Sequence, residues 1–228
     1  MEYRRVLAIG DIHGNFQRLL SLYGKIDFDP ERDLLVFLGD YIDRGRENLA
    51  ALRWIMAKSR ERNVVALRGN HEQLMWEYFA NGGDGDLWRP NGGEATWQEL
   101  QTASRTEPAV IDRCLAFIDA RPCSFRLQAG GREFFFCHAG VEPELPLELQ
   151  QPKDLLWIRG RFYRGYHGAA TVVVGHTATE KLRSGCREPI WLKNHILLLD
   201  TGSYLPEGRI SCVDVLSGEV WQSDDIAL

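Results

Sequence analysis

A chain of 228 residues with 44% hydrophobic side chains is long enough for one well-buried core, and we predict a single domain over residues 1–228. A net charge of −5 argues against nucleic acid as a partner, because phosphate backbones are bound by clustered Lys and Arg. No apolar run approaches the roughly 18 to 20 residues of a membrane span, so we expect no membrane partner. Five cysteines without a CxxC pair, and an N-terminus unlike a secretory signal, predict a reduced, cytoplasmic protein.

Six short apolar runs each end at a polar cluster. They are RVLAI before GDIHG, LLVFL before GDYIDRG, VVAL (with Arg68) before GNHE, FFFC before HAG, VVV before GHT and ILLL before DTG. Continuous apolar runs of this length are typical of strands covered on both faces. Helical patterns over 16–23, 47–60 and 72–79 separate the first runs and predict a β-α-β-α-β start. Because ligand sites of open α/β sheets lie beyond the carboxyl ends of the strands, we expect the polar clusters to meet.

The middle of the chain predicts secondary structure but offers no candidate site residues. Helical patterns cover 94–102 and 108–120, and a hairpin is predicted from 124–127 and 133–137. The acidic, proline-rich stretch 141–152 is interpreted as a solvated connecting loop. Antiparallel strands are predicted at 213–216 and 219–222.

The polar clusters contain a set of side chains suited to binding metal ions: Asp11, His13, Asp40, Asn70, His138 and His176. Asp11 and His13 are two apart, so in an extended segment both point the same way. Carboxylate, amide and imidazole ligands without thiolate suit Mn, Fe or Zn. Six ligands exceed the need of one catalytic ion but fit two ions about 3.5 to 4 Å apart that share a carboxylate, and Asp40 is the natural bridge.

Each of these residues also has a structural interpretation. An Asp or Asn after a strand glycine commonly forms a turn or caps a helix, and a lone His usually packs or lies at the surface. We apply the structural interpretation to residues outside the matched set: His167 and His195, Cys137 in the core, Asp200 bonding nearby backbone, and Trp157 and Trp191 in the core or a pocket wall.

Taken together, GDIHG, GDYIDRG, GNHE, HAG and GHT resemble the signature of the phosphoprotein phosphatase family of metallophosphoesterases, over about residues 6–202. NGG at 91–93 resembles the bacterial and phage serine/threonine phosphatase branch. The resemblance implies an α/β fold, a four-layer αββα sandwich, with two divalent ions at the strand ends. Mn²⁺ is the predicted ion, with Fe or Zn as alternatives. The implied ligands are Asp11, His13 and Asp40 for the first ion, and Asp40, Asn70, His138 and His176 for the second.

The resemblance also implies roles around these ligands. A metal-bridging hydroxide would attack phosphorus in line, and His71, oriented by Asp43, would protonate the departing oxygen. Arg44 and a second arginine would bind the phosphate; Arg159 is the best match for the second, and Arg161 competes with it. The implied activity is hydrolysis of phosphorylated proteins or peptides at serine or threonine, with phosphotyrosine as a further substrate; the sequence leaves open whether the natural target is a small molecule instead.

Two other functions are weighed against this one. Hydrolases of dinucleoside polyphosphates in the same family tend to lack the acid at the position of Asp43, so its presence favours phosphomonoesters. A phosphate-binding module without activity would typically have lost a ligand or the acid. Here the full set is present.

Overall fold

The computed structural model describes residues 3–84 and 86–226, which fold around two five-stranded sheets. The first sheet has the order β10-β9-β1-β2-β3. Its strands are β1 (Arg5–Ile9), β2 (Asp33–Phe37), β3 (Val64–Ala66), β9 (Ser211–Asp214) and β10 (Val220–Gln222). The strands β1, β2 and β3 are parallel, with Leu7 opposite Leu35, and β9 and β10 are added antiparallel. The three predicted polar clusters that follow β1, β2 and β3 therefore leave the sheet at one edge.

The second sheet also has five strands and a parallel core, in the order β4-β5-β6-β8-β7. Its strands are β4 (Ser124–Ala129), β5 (Arg132–Cys137), β6 (Thr171–Val174), β7 (Ile190–Leu192) and β8 (Ile196–Leu198). A parallel centre of β5, β6 and β8 is flanked by the antiparallel strands β4 and β7. The other three polar clusters follow the parallel strands of this sheet.

Helices cover the outer face of each sheet. Those of the first sheet are α1 (Phe16–Ile26), α2 (Asn48–Lys58), α3 (Asn70–Ala80), α4 (Glu94–Ser104) and α5 (Val110–Asp119). The short helices α6 (Pro152–Trp157) and α7 (Gly160–Gly165) lie with the second sheet, and α8 (Thr179–Leu182) follows β6. Short 3₁₀ turns occupy Arg89–Asn91 and Leu147–Leu149.

Buried apolar side chains fall into three layers that match this arrangement. Between the sheets, Val36 of the first meets Phe136 and Val173 of the second. The other face of the first sheet packs on α1 to α5, and the other face of the second packs on α6 and α7. The molecule is therefore the predicted four-layer αββα sandwich.

The predicted helices and strands are present, with differences at their ends. α3 begins at Asn70, two residues earlier than predicted, because Glu72 bonds back to the Gly69 N–H at 2.9 Å and closes the first turn. α6 and α7 were not predicted, since six-residue helices carry too few residues for a clear period. The expectation that Trp191 lies in the core is wrong. It is 44% exposed, because β7 is an edge strand and alternation turns Ile190, not Trp191, inward.

Two further features concern the cysteines and the helices. All five cysteines are free thiols. Within the described residues, none of the helices combines the length and the hydrophobicity that crossing a membrane requires.

Candidate metal centre

The loops at the carboxyl ends of the parallel strands bring the predicted ligands together between the two sheets. Two groups of buried side chains have ligand atoms within 4.8 Å of one another: His13, Asp40 and His71, and Asp40, His138 and His176. Asp40 belongs to both groups, which is the position required of a bridging carboxylate. Asp11 lies beside the first group, with its Oδ2 3.8 Å from His13 Nε2.

The backbone of these loops is strained where the side chains converge. Five non-glycine residues of the site have positive φ angles, a conformation that costs about 1 to 3 kcal/mol each. They are His13 (48°), Asp40 (53°), Asp43 (75°), Arg44 (68°) and His176 (64°). The buried carboxylate of Glu72 offsets part of this strain in the loop after β2. It accepts the N–H groups of Asp40 and Tyr41, each at 2.8 Å, as well as that of Gly69.

Close approach between the strand ends depends on two glycines. A Cβ at Gly69 would collide with the backbone and carboxylate of Asp40, and one at Gly175 would collide with the carboxylate of Asp11. Asp11 instead accepts the N–H of His176 with both oxygens, at 3.0 and 3.1 Å. The glycines of the sequence motifs therefore let one loop touch the next.

The histidine rings are oriented by bonds on their outer nitrogens. Nδ1–H of His13 donates to the Ile42 carbonyl at 3.0 Å, and Nδ1–H of His138 donates to the Leu38 carbonyl at 2.9 Å. Both rings thus present Nε2 to the cluster. Asn70 Oδ1 lies 2.8 Å from His138 Nε2 and 2.8 Å from His176 Nδ1, so three predicted ligand atoms meet at one point.

Charges within the buried cluster set its protonation. Burial raises the pKa of Asp40, but the imidazoles of His138 and His71 outweigh burial and hold that pKa well below its usual range. Burial, with a contribution from Arg44, lowers the pKa of His13 well below its usual value. Burial and the neighbouring His138 lower the pKa of His176 to about 2. Neutral imidazoles beside an ionised carboxylate are the forms that bind a metal ion.

These residues fit divalent cations. Asn70 Oδ1 and the two ring nitrogens that lie 2.8 Å from it, His138 Nε2 and His176 Nδ1, are buried donor atoms of the types that one such cation could contact together. His138 behaves differently, since the Asp40 carboxylate overcomes burial and raises its pKa to about 9. A cation at this position would compete with the proton for the same ring nitrogen.

His71 and Asp43 form a buried pair at the edge of the cluster. His71 Nδ1–H donates to Asp43 Oδ2 at 2.7 Å, and His71 Nε2 lies 3.9 Å from Asp40 Oδ2. The pKa of His71 is raised, because the attraction of Asp40 and Asp43 exceeds the opposing effect of burial. Asp43 is held in turn by Trp88 Nε1–H at 2.8 Å and by the Thr96 hydroxyl at 2.6 Å.

Arg44 extends over this pair. Its Nη1 donates to His13 Nε2 and its Nη2 lies against His71 Nε2, both at 2.8 Å. The guanidinium carbon stacks 4.3 Å from the ring centre of Tyr204, and that ring also meets His13 edge-on at 5.0 Å. Arg44 is exposed, so a ligand entering from solvent meets its guanidinium beside the cluster.

The two candidates for the second arginine lie in different surroundings. Arg159 Nη1 donates to the Thr177 hydroxyl at 2.7 Å and to the His176 carbonyl at 3.3 Å. Arg161 is 61% exposed and pairs with Glu142 at 3.0 Å and Glu144 at 3.3 Å. The structure therefore brings Arg159 to the cluster and points Arg161 to the acidic loop.

The residues outside the predicted ligand set make structural contacts or lie away from the ligand groups. Asp200 Oδ1 accepts the Gly202 N–H at 2.9 Å, and the Cys137 thiol is buried and donates to the Gly140 carbonyl. His167 and His195 are absent from both metal-ligating groups found in the described residues. The Trp157 ring lies 6.3 Å from that of His176 and forms part of the site wall.

Sequence reasoning assigned no role to four residues that support the site: Glu72, Trp88, Thr96 and Tyr204. Glu72 is part of GNHE, and its place three residues after Gly69 is a helix-capping signal that could have identified it. Trp88 and Thr96 are 45 and 53 residues from the Asp43 they contact. At such separations the sequence gives no sign of a hydrogen bond.

Comparison with known proteins places this geometry in context. The family model described as calcineurin-like phosphoesterase matches residues 4–199. The chain is 28% identical over 212 residues to serine/threonine-protein phosphatase 2 of Salmonella typhimurium, covering 89% of each chain. It is 34% identical over 181 residues to serine/threonine-protein phosphatase 1 of the same organism, covering 77% of this chain and 79% of the relative.

Other similar proteins are named as hydrolases of dinucleoside tetraphosphates. An asymmetrical bis(5'-nucleosyl)-tetraphosphatase of Anoxybacillus flavithermus is 25% identical over 218 residues, covering 85% of this chain and 84% of the relative. A solved structure described as a candidate diadenosine tetraphosphatase superposes with a TM-score of 0.70 at 18% identity, covering 96% of this chain and 92% of the other. At that identity the superposition supports the fold alone.

Proposed function

The chain belongs to the calcineurin-like phosphoesterase family, and from this premise we propose that it is a two-metal phosphomonoesterase that acts on phosphoserine and phosphothreonine in proteins. The activity of a metal-dependent phosphoester hydrolase follows from the family match over residues 4–199. A phosphoprotein substrate is supported by the serine/threonine phosphatases that align with more than three quarters of the chain.

The observation that carries the proposal is the His71–Asp43 pair at 2.7 Å, beside the ligand Asp40. Hydrolysis of a serine or threonine phosphate expels an alkoxide, which needs a proton as it leaves. His71 is the group proposed to supply it: Asp43 accepts its Nδ1–H and favours the imidazolium form, so that a proton on Nε2 can pass to the leaving oxygen. Hydrolysis of a phosphoanhydride, by contrast, expels a weakly basic phosphate, which has less need of a proton from such an acid.

Two divalent ions are proposed at the cluster. The proposed ligands are Asp11, His13 and Asp40 for one ion, and Asp40, Asn70, His138 and His176 for the other. Such ions supply an activated water and neutralise phosphate charge. Mn²⁺ is the proposed ion, with Fe or Zn as alternatives, because the set combines carboxylate, amide and imidazole without thiolate. Five free thiols suit a reducing compartment, and the cytoplasm remains our proposed location.

Two arginines are proposed to bind the substrate phosphate. The two Arg44 nitrogens that contact His13 and His71 form a planar fork that matches two phosphate oxygens. Arg159 is the proposed second arginine, because its guanidinium lies against the His176 loop. Together they would orient the ester so that its leaving oxygen faces His71.

A dinucleoside polyphosphate hydrolase is the second candidate, favoured by the tetraphosphatase relative that aligns with 85% of this chain. A substrate panel separates the two. Phosphoserine, phosphothreonine and phosphotyrosine peptides, nitrophenyl phosphate and diadenosine tetraphosphate are compared at matched concentration, with and without Mn²⁺. The proposal expects metal-dependent release of phosphate from the serine and threonine peptides at the highest kcat/KM. Preference for the tetraphosphate would overturn it, and no hydrolysis of any substrate would indicate an inactive binding module.

A further inference from the structure

A cavity of about 370 Å³ lies next to the metal centre, on the other side of Arg44. It is walled by the segments that follow β1 and β2, including Arg18, Arg44, Arg46 and Glu47, together with Tyr204 from the segment after β8. Arg44 and Tyr204 are shared, since they stack on each other and also contact His13. A phosphate held by Arg44 would therefore lie at the cavity wall.

The charge of this cavity is positive, and most of its polar groups are already engaged. Arg18 is buried and donates to the carbonyls of Ser203 at 2.5 Å and Ile226 at 2.7 Å, with Asp225 3.8 Å away. Glu47 accepts the side-chain amide of Gln17 at 3.1 Å and its backbone N–H at 3.3 Å. These groups build the wall and have little remaining capacity for a ligand.

Arg46 is the exception among the charged wall residues. Its side chain is exposed and makes no hydrogen bond or ion pair with any residue in 3–84 or 86–226. Most other arginines near the cavity have partners, and Arg46 follows Arg44 after a single glycine. Arg44 thus places one cation at the metal centre, and Arg46 places a second cation in the wall of the adjoining cavity.

We infer that this cavity binds an anionic group of the substrate next to the reacting phosphate: in a phosphoprotein, an Asp or Glu side chain close in sequence to the phosphorylated residue. This inference rests on the proposed function and names its substrate class more narrowly. Arg44 would hold the reacting phosphate, and Arg46 would pair with the flanking carboxylate. An exposed ion pair of this kind changes kcat/KM by about 2- to 5-fold.

The test uses two phosphoserine peptides that differ only in having Asp or Ala on both sides of the phosphoserine. The readout is the ratio of their kcat/KM values, measured on wild type, Arg46→Ala, Arg46→Glu and the control Arg105→Ala, an exposed arginine at the end of α4. Wild type and Arg105→Ala should prefer the Asp peptide by about 2- to 5-fold, Arg46→Ala should lose the preference, and Arg46→Glu should reverse it. The wild-type preference should shrink in about 0.5 M salt.

Four other results would contradict the inference, and they differ in whether the proposed function is contradicted as well. If wild type hydrolyses the two peptides equally, the inference fails while the proposed function stands. If Arg46→Ala slows both peptides by the same factor, Arg46 does not recognise the flank. If Arg46→Ala slows diadenosine tetraphosphate alone, the cavity binds a phosphate chain. If wild type hydrolyses neither peptide but cleaves the tetraphosphate, the proposed function falls as well.

Discussion

The carboxylate of Glu72, in the first turn of α3, accepts the backbone N–H of Asp40 at 2.8 Å and thereby fixes the loop after β2 to that helix. Asp40 has a φ of 53°, so its backbone needs such support. The same bond leaves the Asp40 side chain directed at the histidines, with Oδ1 3.3 Å from His138 Nε2. The backbone of Asp40 is therefore held by Glu72, while its carboxylate interacts with a different residue, His138.

This separation predicts the effect of Asp40→Asn. Asn keeps the size of the side chain and the backbone bond to Glu72, while it removes the charge shared by both proposed ions. We expect metal content to fall below two ions per chain and turnover of nitrophenyl phosphate to fall by about 100-fold or more; the melting temperature of the metal-free protein should also fall, because the neighbouring His138 loses the carboxylate that stabilises its charged form. Elemental analysis and calorimetry provide the measurements. A variant that retains two ions and near-normal turnover would contradict the bridging role.

A second prediction concerns stability far from the centre, at the start of β2. Asp33 is buried and accepts hydrogen bonds from Arg4 at 2.9 and 2.7 Å and from Arg5 at 3.2 Å. Burial alone would raise the pKa of Asp33, but the two arginines more than compensate and hold it well below its usual range. We expect Asp33→Asn to lower the free energy of unfolding by about 1 to 3 kcal/mol at pH 7.

The pH dependence follows from the lowered pKa of Asp33. A lowered native pKa contributes stability that is complete above the unfolded value of about 3.9 and is lost as the pH falls below it. The difference between wild type and Asp33→Asn should therefore be about 1 kcal/mol smaller at pH 3 than at pH 7. Urea unfolding at both pH values measures it. An equal difference at pH 3 and pH 7 would rule out the ionised carboxylate as the source of stability.

The strands and the ligand set could be predicted because each apolar run is followed directly by its polar residues. Asp11, His13 and Asp40 each lie within four residues of a strand end, so the parallel sheet order alone brings them together. The support around them could not be predicted. Trp88 reaches Asp43 across 45 residues, and although aspartate adopts positive φ more readily than most residues, the sequence does not identify Asp43, at 75°, as one that does.

Arg159 and Arg161 provide a matched pair for testing the phosphate contact. We expect Arg159→Ala to keep both ions and to lower kcat/KM for phosphopeptides by about 10- to 100-fold, because a charge-assisted contact to phosphate is removed. Arg161→Ala should stay close to wild type, since its partners are Glu142 and Glu144. Steady-state kinetics with metal analysis tests both. The reverse order of effects would transfer the role to Arg161, and loss of metal from Arg159→Ala would make that residue structural.

The proposed acid role of His71 predicts a dependence on the leaving group. Phosphoserine expels a basic alkoxide, whereas nitrophenyl phosphate expels a stable phenolate that needs little protonation. We expect His71→Asn to lower kcat for a phosphoserine peptide by about 10²- to 10⁴-fold and to affect the nitrophenyl ester much less. Asp43→Asn should give the same pattern in milder form. Equal losses on the two substrates at saturating Mn²⁺, or loss of metal, would make His71 a structural residue.

Trp88 should influence the same step through Asp43. Its indole N–H donates to Asp43 Oδ2, the oxygen that also faces His71, and its side chain is fully buried. Trp88→Phe removes this donor while keeping an aromatic ring in the core, so the carboxylate loses one of the bonds that aim it. We expect kcat for the phosphoserine peptide to fall by about 3- to 10-fold, with a change of less than about 2-fold for nitrophenyl phosphate.

Trp97→Phe is the matched control, because Trp97 lies in the neighbouring helix α4 and contacts Arg89 rather than Asp43. Thr96→Val and Thr96→Ser form a second pair: valine removes the hydroxyl that donates to Asp43 Oδ1, and serine restores it. The valine variant should repeat the Trp88→Phe pattern and the serine variant should recover most of the lost rate. If Trp88→Phe slows both substrates equally while lowering the melting temperature, Trp88 acts on packing alone, and the hydrogen bond to Asp43 does not position the acid.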